Sequence, residues 1–126
     1  MEDRELFWVK CKKDLEEFPK PVKDAVIFAL EIAKGGGKHQ SAKPLQGFHG
    51  ASVLEIVQRG KDTTFRAVYT VKFKEFVYVL HCFKKKSKSG IKTPQKDLDL
   101  IENRLKQAEI EYKQFLKDKK NEIKRH

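Results

Sequence analysis

Residues 51–83 read ASVLEIVQRGKDTTFRAVYTVKFKEFVYVLHCF, and this stretch decides the fold. Three runs rich in β-branched and aromatic residues, 51–58, 63–71 and 76–83, are separated by the short polar turns 59–62 and 72–75. Runs spaced by about 12 residues with short turns predict an antiparallel meander. Val53, Leu54, Ile56, Val57, Val77, Val79 and Leu80 place apolar side chains on both faces of their strands. A sheet built this way needs one face covered and part of the other.

Upstream, Glu5 to Cys11 is a short aromatic, β-branched run and reads as a further strand. Lys12 to Phe18, with Leu15 and Phe18 three apart, reads as a helical turn, and Pro19 and Pro21 punctuate it. Pro21 to Lys34 reads as a helix with Val22, Ala25, Val26, Ala29, Ile32 and Ala33 on one face, widened by Ile27, Phe28 and Leu30. Gly35-Gly36-Gly37 ends it. No Gly-Lys-Ser/Thr follows at phosphate-loop spacing, so the glycines read as a cap. Residues 39–50 form a polar connection.

Downstream, Lys84 to Lys92 holds Lys84, Lys85, Lys86, Lys88 and Lys92 with no acid. Thr93-Pro94 is a helix start, and Asp97 and Asp99 complement the positive end of the helix dipole. Leu98, Ile101, Leu105, Ala108, Tyr112 and Phe115 recur at helical spacing as one narrow apolar seam. After Leu116 the pattern dissolves into lysines, and the tail 117–126 is expected to fray. The predicted architecture is a single α+β domain over residues 1–126, with its core at about 5–115. Its order is β-α-α-β-β-β-α, with a small twisted, mostly antiparallel four-stranded sheet and a long C-terminal helix.

Composition narrows the function. The 126 residues carry 28 Lys+Arg against 18 Asp+Glu, a formal net charge of +10. Residues 1–83 hold 14 basic and 11 acidic side chains, net +3, and residues 84–126 hold 14 and 7, net +7. A concentrated positive field draws polyanions: nucleic acid, anionic lipid or an acidic protein. The alternative is a solvated lysine run that keeps the chain soluble. The longest apolar run, Ala25 to Leu30, is far short of the ~20 residues of a membrane span. The charged N-terminus has no apolar segment of a secretory signal, and the two scattered cysteines give no disulfide framework. A cytoplasmic protein without membrane partners is the expectation.

The four histidines and two cysteines have no metal-ligand spacing, so no metal and no cofactor is expected. Cys11 and Cys82 lie in strand-like runs and read as core thiols. What remains is a set of cations near strand ends. Arg66, flanked by apolar strand residues, is costly unless paired or used; the two readings are an ion pair with Glu55 and a functional cation. His81, directly before the lysine cluster, is either a structural histidine or an acid–base group. Together Arg, His and Lys suit metal-free RNA cleavage. A base takes the 2′-OH proton, that oxygen attacks phosphorus, an acid protonates the 5′ oxygen, and fixed cations hold the added charge. Arg66, His81, Lys84 and Lys85 are the candidate catalytic residues. Lys43, Lys86 and Lys88 are candidate RNA contacts. Tyr69 and Tyr78 are either base-stacking platforms or core residues. The mechanism requires Arg66, His81 and Lys84 to share one concavity.

Several segments carry a resemblance: Lys43-Pro44-Leu45-Gln46-Gly47-Phe48, Val53-Leu54-Glu55-Ile56, Phe65 to Val71, Tyr78 to Gly90, and Thr93-Pro94 before a helix with Asp97, Ile101 and Arg104-Leu105. Over roughly residues 5–115 the chain resembles the phage-derived, HigB-like branch of the RelE/ParE toxin superfamily. The resemblance implies the toxin of a type II toxin–antitoxin pair and a RelE-like fold. It also implies mRNA cleavage, typically on the translating ribosome, and a helix-turn-helix, HigA-like antitoxin as partner. It places the family's strand arginine at Arg66, its basic strand end at Lys84 and Lys85, and a catalytic histidine of some relatives at His81. Tyr112 lies in the apolar seam and departs from the RelE-type C-terminal tyrosine. ParE members inhibit DNA gyrase instead, so gyrase inhibition stays open, as does an inactive relic that only binds nucleic acid or antitoxin.

Overall fold

A computed structural model describes residues 3–48, 52–86 and 93–124. Their elements are β1 (Glu5–Trp8), α1 (Lys12–Glu16), α2 (Lys20–Lys34), β2 (Ala42–Pro44), β3 (Val53–Arg59), β4 (Thr63–Thr70), β5 (Phe76–Lys86) and α3 (Gln95–Lys124). The strands form one sheet in the order β1-β5-β4-β3-β2. The predicted meander is β3-β4-β5, paired antiparallel throughout.

The sheet has five strands, not four. Ala42-Lys43-Pro44, in the stretch expected to be a loop, pairs antiparallel with β3. Three residues with one buried apolar side chain carry no period of their own; the neighbouring strand organises them. Pro44, which has no N–H to give, is tolerated because β2 is an edge. The other edge, β1, pairs parallel with β5. Between them the chain passes through α1 and α2, so the first strand sits beside the last.

Each face of the sheet has its own core. Leu54, Ile56, Phe65, Ala67, Tyr69, Val77, Val79 and Cys82 pack with Cys11, Leu15 and Phe18 and with Val26, Ala29, Leu30 and Ala33 of α2. Val53, Val68, Tyr78 and Leu80 pack on the other face with Ile101 and Ala108 of α3. Two covered faces explain strands that are apolar on both sides. Phe28 departs from the expected face: it is 59% exposed, edge-on to His39. Gly35 caps α2, and Gly36 takes a positive φ of 90° while its N–H reaches the Ala33 carbonyl. The triple glycine is therefore a helix end. α3 runs to Lys124, past the point where its seam dissolves. Lys, Glu and Gln are strong helix formers, and Gln114 bonds Asp118 one turn on.

Candidate functional site

The local device that shapes the site is a β-bulge in β5. Val68 pairs with His81 but Tyr69 pairs with Val79, so Leu80 is an extra residue. An extra residue reverses the alternation beyond it. Were Leu80 paired in a regular strand, His81 would join Val79 in the α1/α2 core. Because Leu80 is left unpaired, His81 shares the α3 face with Val68 and Arg66, while Cys82 takes the core position. Phe83 pairs with Arg66 and stacks on the His81 ring, centroids 4.6 Å apart.

On this face polar residues form a row across the sheet. Lys43 Nζ stands 3.9 Å from Glu55 Oε1, and Arg66 Nη1 donates to Glu55 Oε2 at 3.1 Å. Diagonally beyond Arg66, His81 Nε2 meets Asp97 Oδ1 of α3 at 2.8 Å. Arg66 is 2% exposed and His81 8%. Arg66 is therefore the ion-pair partner of Glu55. Burial that would be prohibitive for a lone guanidinium is tolerable because the carboxylate faces it. A carboxylate only accepts, so His81 Nε2 carries the hydrogen of this contact. Among the described residues neither His81 Nδ1 nor Arg66 Nε has a hydrogen-bond partner.

The expected convergence of Arg66, His81 and Lys84 is not what forms. Lys84 pairs with Phe65, and Lys86 with Thr63, on the α1/α2 face; Lys85 pairs with Thr64 on the face of Arg66. Three positions along a strand reverse the face, which separates His81 from Lys84. The two meet only at the strand edge. The β1 pairing with β5 stops at Val79, and α1 lies beside the open edge. There a groove of about 200 Å3 is bordered by Asp14, Glu17, Phe18, His81, Cys82, Phe83 and Lys84. Arg66 does not border it. Lys88 lies outside the described residues.

Tyr69 is not a stacking platform. It is 1% exposed within the α1/α2 core, and burial pushes its hydroxyl up to about 12. Tyr78 is also buried, and burial raises its pKa. Tyr112 donates its hydroxyl to Glu75, a contact that raises the Tyr112 pKa. Glu75 precedes β5, at the opposite end of that strand from Lys84. Glu55 and Asp97 are the residues the sequence reading left out of the site. In the sequence Glu55 reads only as an ion-pair partner for Arg66, and Asp97 only as a helix-dipole residue. Among the described residues no three His, Cys, Asp or Glu come together as a metal site. No helix there is long and apolar enough to cross a membrane.

Comparison with known proteins gives one family. The family described as phage derived protein Gp49-like (DUF891) matches residues 13–106. Among solved structures, the toxin–antitoxin complex RelBE2 from Mycobacterium tuberculosis is similar at 21% identity with a TM-score of 0.42. The match covers 68% of this chain and 94% of that one. No curated protein matches.

Proposed function

The chain belongs to the Gp49-like family of phage-derived proteins, and from that premise we propose that it is the toxin of a type II toxin–antitoxin pair. In this reading it is HigB-like and cuts mRNA without metal on the translating ribosome, and a helix-turn-helix antitoxin neutralises it. The observation that carries the reading is the His81–Asp97 contact at 2.8 Å beside a groove that Lys84 also borders. Asp97 holds the imidazole with Nδ1 as the free acceptor, the form a general base needs. Nδ1 takes the 2′-OH proton and the oxygen attacks the adjacent phosphorus. Lys84 and Lys85 supply the positive charge and the proton donors for the departing 5′ oxygen. This mechanism differs from the three-cation form expected from the sequence: only His81 and Lys84 share a concavity, and Arg66, neutralised by Glu55, does not touch the RNA. Because Nδ1 is buried, productive binding requires Phe83 to yield at the groove edge.

Primer extension on total RNA after induction tests this. New 5′ ends inside coding regions are expected for the native chain and absent for His81→Ala and Lys84→Ala, with soluble protein retained. Unchanged cleavage in His81→Ala removes the mechanism.

A second reading rests on the same geometry. Arg66 is sealed in an ion pair, and the carboxylates of Asp14 and Glu17 border the groove where a phosphate would sit. These features favour a toxin that acts by binding a protein target, as a gyrase inhibitor does. Growth arrest with intact transcripts and DNA damage would decide for it.

A further inference from the structure

The two cysteines, Cys11 and Cys82, are distant in sequence and adjacent in space. Cys11 follows β1 and is the residue before α1. The backbone turns there through Lys10, whose φ of 59° makes it the one non-glycine residue with positive φ among those described. That turn sends the Cys11 thiol back onto β5, where it donates to the Val79 carbonyl at 3.3 Å. The bulge does the complementary work. By leaving Leu80 unpaired it moves Cys82 onto the α1/α2 face. The two thiols then lie in the same buried cluster, and the neighbouring Cys11 together with burial pushes the Cys82 thiol up. A strained turn and a bulge thus both serve one contact, between thiols that the mechanism above does not use.

We propose that Cys11 and Cys82 are a redox-responsive modification site, closed by hydroperoxides to an intramolecular disulfide that ties the β1–α1 corner to the segment carrying His81. The order of events follows from where the thiols lie. Cys11 adjoins the short helix α1, the element that opens, so it is the thiol that a peroxide meets first. Its sulfur, deprotonated, attacks the peroxide oxygen and breaks the O–O bond, giving a sulfenic acid and water or an alcohol. The Cys82 sulfur then attacks the sulfenic sulfur. The S–S bond forms, and the S–OH oxygen leaves as water with the Cys82 proton. Two thiols are oxidised and one peroxide is reduced. Both thiols are buried, at 0% and 2% exposure, so the first step occurs in a local opening. α1, five residues long and held to the core by Leu15, is the element to open. The groove that borders Cys82 beside Asp14 and Phe18 is the approach.

The test treats the full chain with hydrogen peroxide under native conditions, then alkylates and weighs it. The expected product is lighter by two hydrogens, carries no alkyl group, and yields a peptide joining Cys11 to Cys82. Reduction restores two alkylatable thiols. In Cys82→Ala, Cys11 is expected to stop at a sulfenic acid that a 1,3-diketone captures; in Cys11→Ala, Cys82 is expected to stay a thiol. Circular dichroism confirms that each variant is folded before it is scored. In the oxidised chain, amide exchange at residues 81–83 slows relative to the reduced chain. Two unreacted thiols, separate sulfinic acids, disulfide-linked dimers or unchanged exchange at residues 81–83 would each overturn the proposal.

Discussion

Arg66→Ala and Glu55→Ala are expected to damage the fold before they report on function, and the damage can be bounded from the geometry. The Arg66 and Glu55 side chains are 3% and 6% exposed, with one hydrogen bond of 3.1 Å between them. Removing either leaves a charge in the interior with no counter-charge, which costs about 3–5 kcal/mol. Lys43 cannot rescue Glu55: it stands 3.9 Å away and is half exposed, a geometry worth below about 1 kcal/mol. Against a net stability of about 5–15 kcal/mol for a domain of this kind, one substitution removes a large share. Replacing both by apolar residues of similar volume, Glu55→Leu with Arg66→Met, removes both desolvation penalties together. That double variant should lie within about 1–2 kcal/mol of the native chain, on either side. Urea unfolding of the native chain, both singles and the double closes a cycle whose coupling term should be several kcal/mol. Should each single cost under about 1 kcal/mol, the guanidinium is solvated and the ion-pair assignment is wrong. The cycle also has functional content. If the stable double variant still arrests growth, Arg66 never touched the target; if it is folded and harmless, Arg66 opens to a partner and belongs to the working surface.

Three further outcomes are expected. Asp97→Asn keeps the shape of the His81 contact but lets the amide offer a donor, so the imidazole tautomer is no longer fixed; RNA cleavage should fall by one to several orders of magnitude (~10–10⁴-fold), and equal cleavage by the variant and the native chain would remove Asp97 from the reaction. Tyr69, with its pKa raised to about 12 against about 10 when unfolded, contributes stability that is complete below pH ~10 and is lost as pH rises toward 12; urea midpoints should fall across that window, with a shallower fall in Tyr69→Phe. Gly36→Ala meets no neighbouring atom within 4 Å but must hold a φ of 90°, so it should lose about 1 kcal/mol or slightly more by thermal unfolding, and a change near zero would mean that the cap can rebuild.

What was legible in the sequence was whatever local periodicity and turn chemistry encode. The β3-β4-β5 meander, the glycine end of α2 and the α3 seam follow from alternation, cap residues and helical spacing, each visible in a short window. What escaped needs a neighbour to exist. β2 has no pattern of its own, and its Lys43 enters the site only because β3 sets its register against Glu55. The bulge at Leu80 is invisible for a sharper reason. Val79, Leu80 and Cys82 are all apolar enough to fill either face, so no side chain betrays the extra residue, and only His81 changes its surroundings. Read as a regular strand, β5 offers His81 to the wrong core and Cys82 to α3. Leaving Leu80 unpaired exchanges them. It sets a histidine against Asp97 and a thiol against Cys11, and so creates both the candidate acid–base pair and the candidate redox pair. The two sites therefore share one register, Tyr69 with Val79 and Val68 with His81. Deleting Leu80 makes that register regular, with His81 directly after Val79, so the His81–Asp97 and Cys11–Cys82 placements should both survive while the α3 core loses the Leu80 side chain. A Leu80 deletion that folds with native-like circular dichroism yet loses either placement, seen as His81 no longer responding to Asp97→Asn or as thiols that peroxide no longer pairs, would show that this register does not set the two faces.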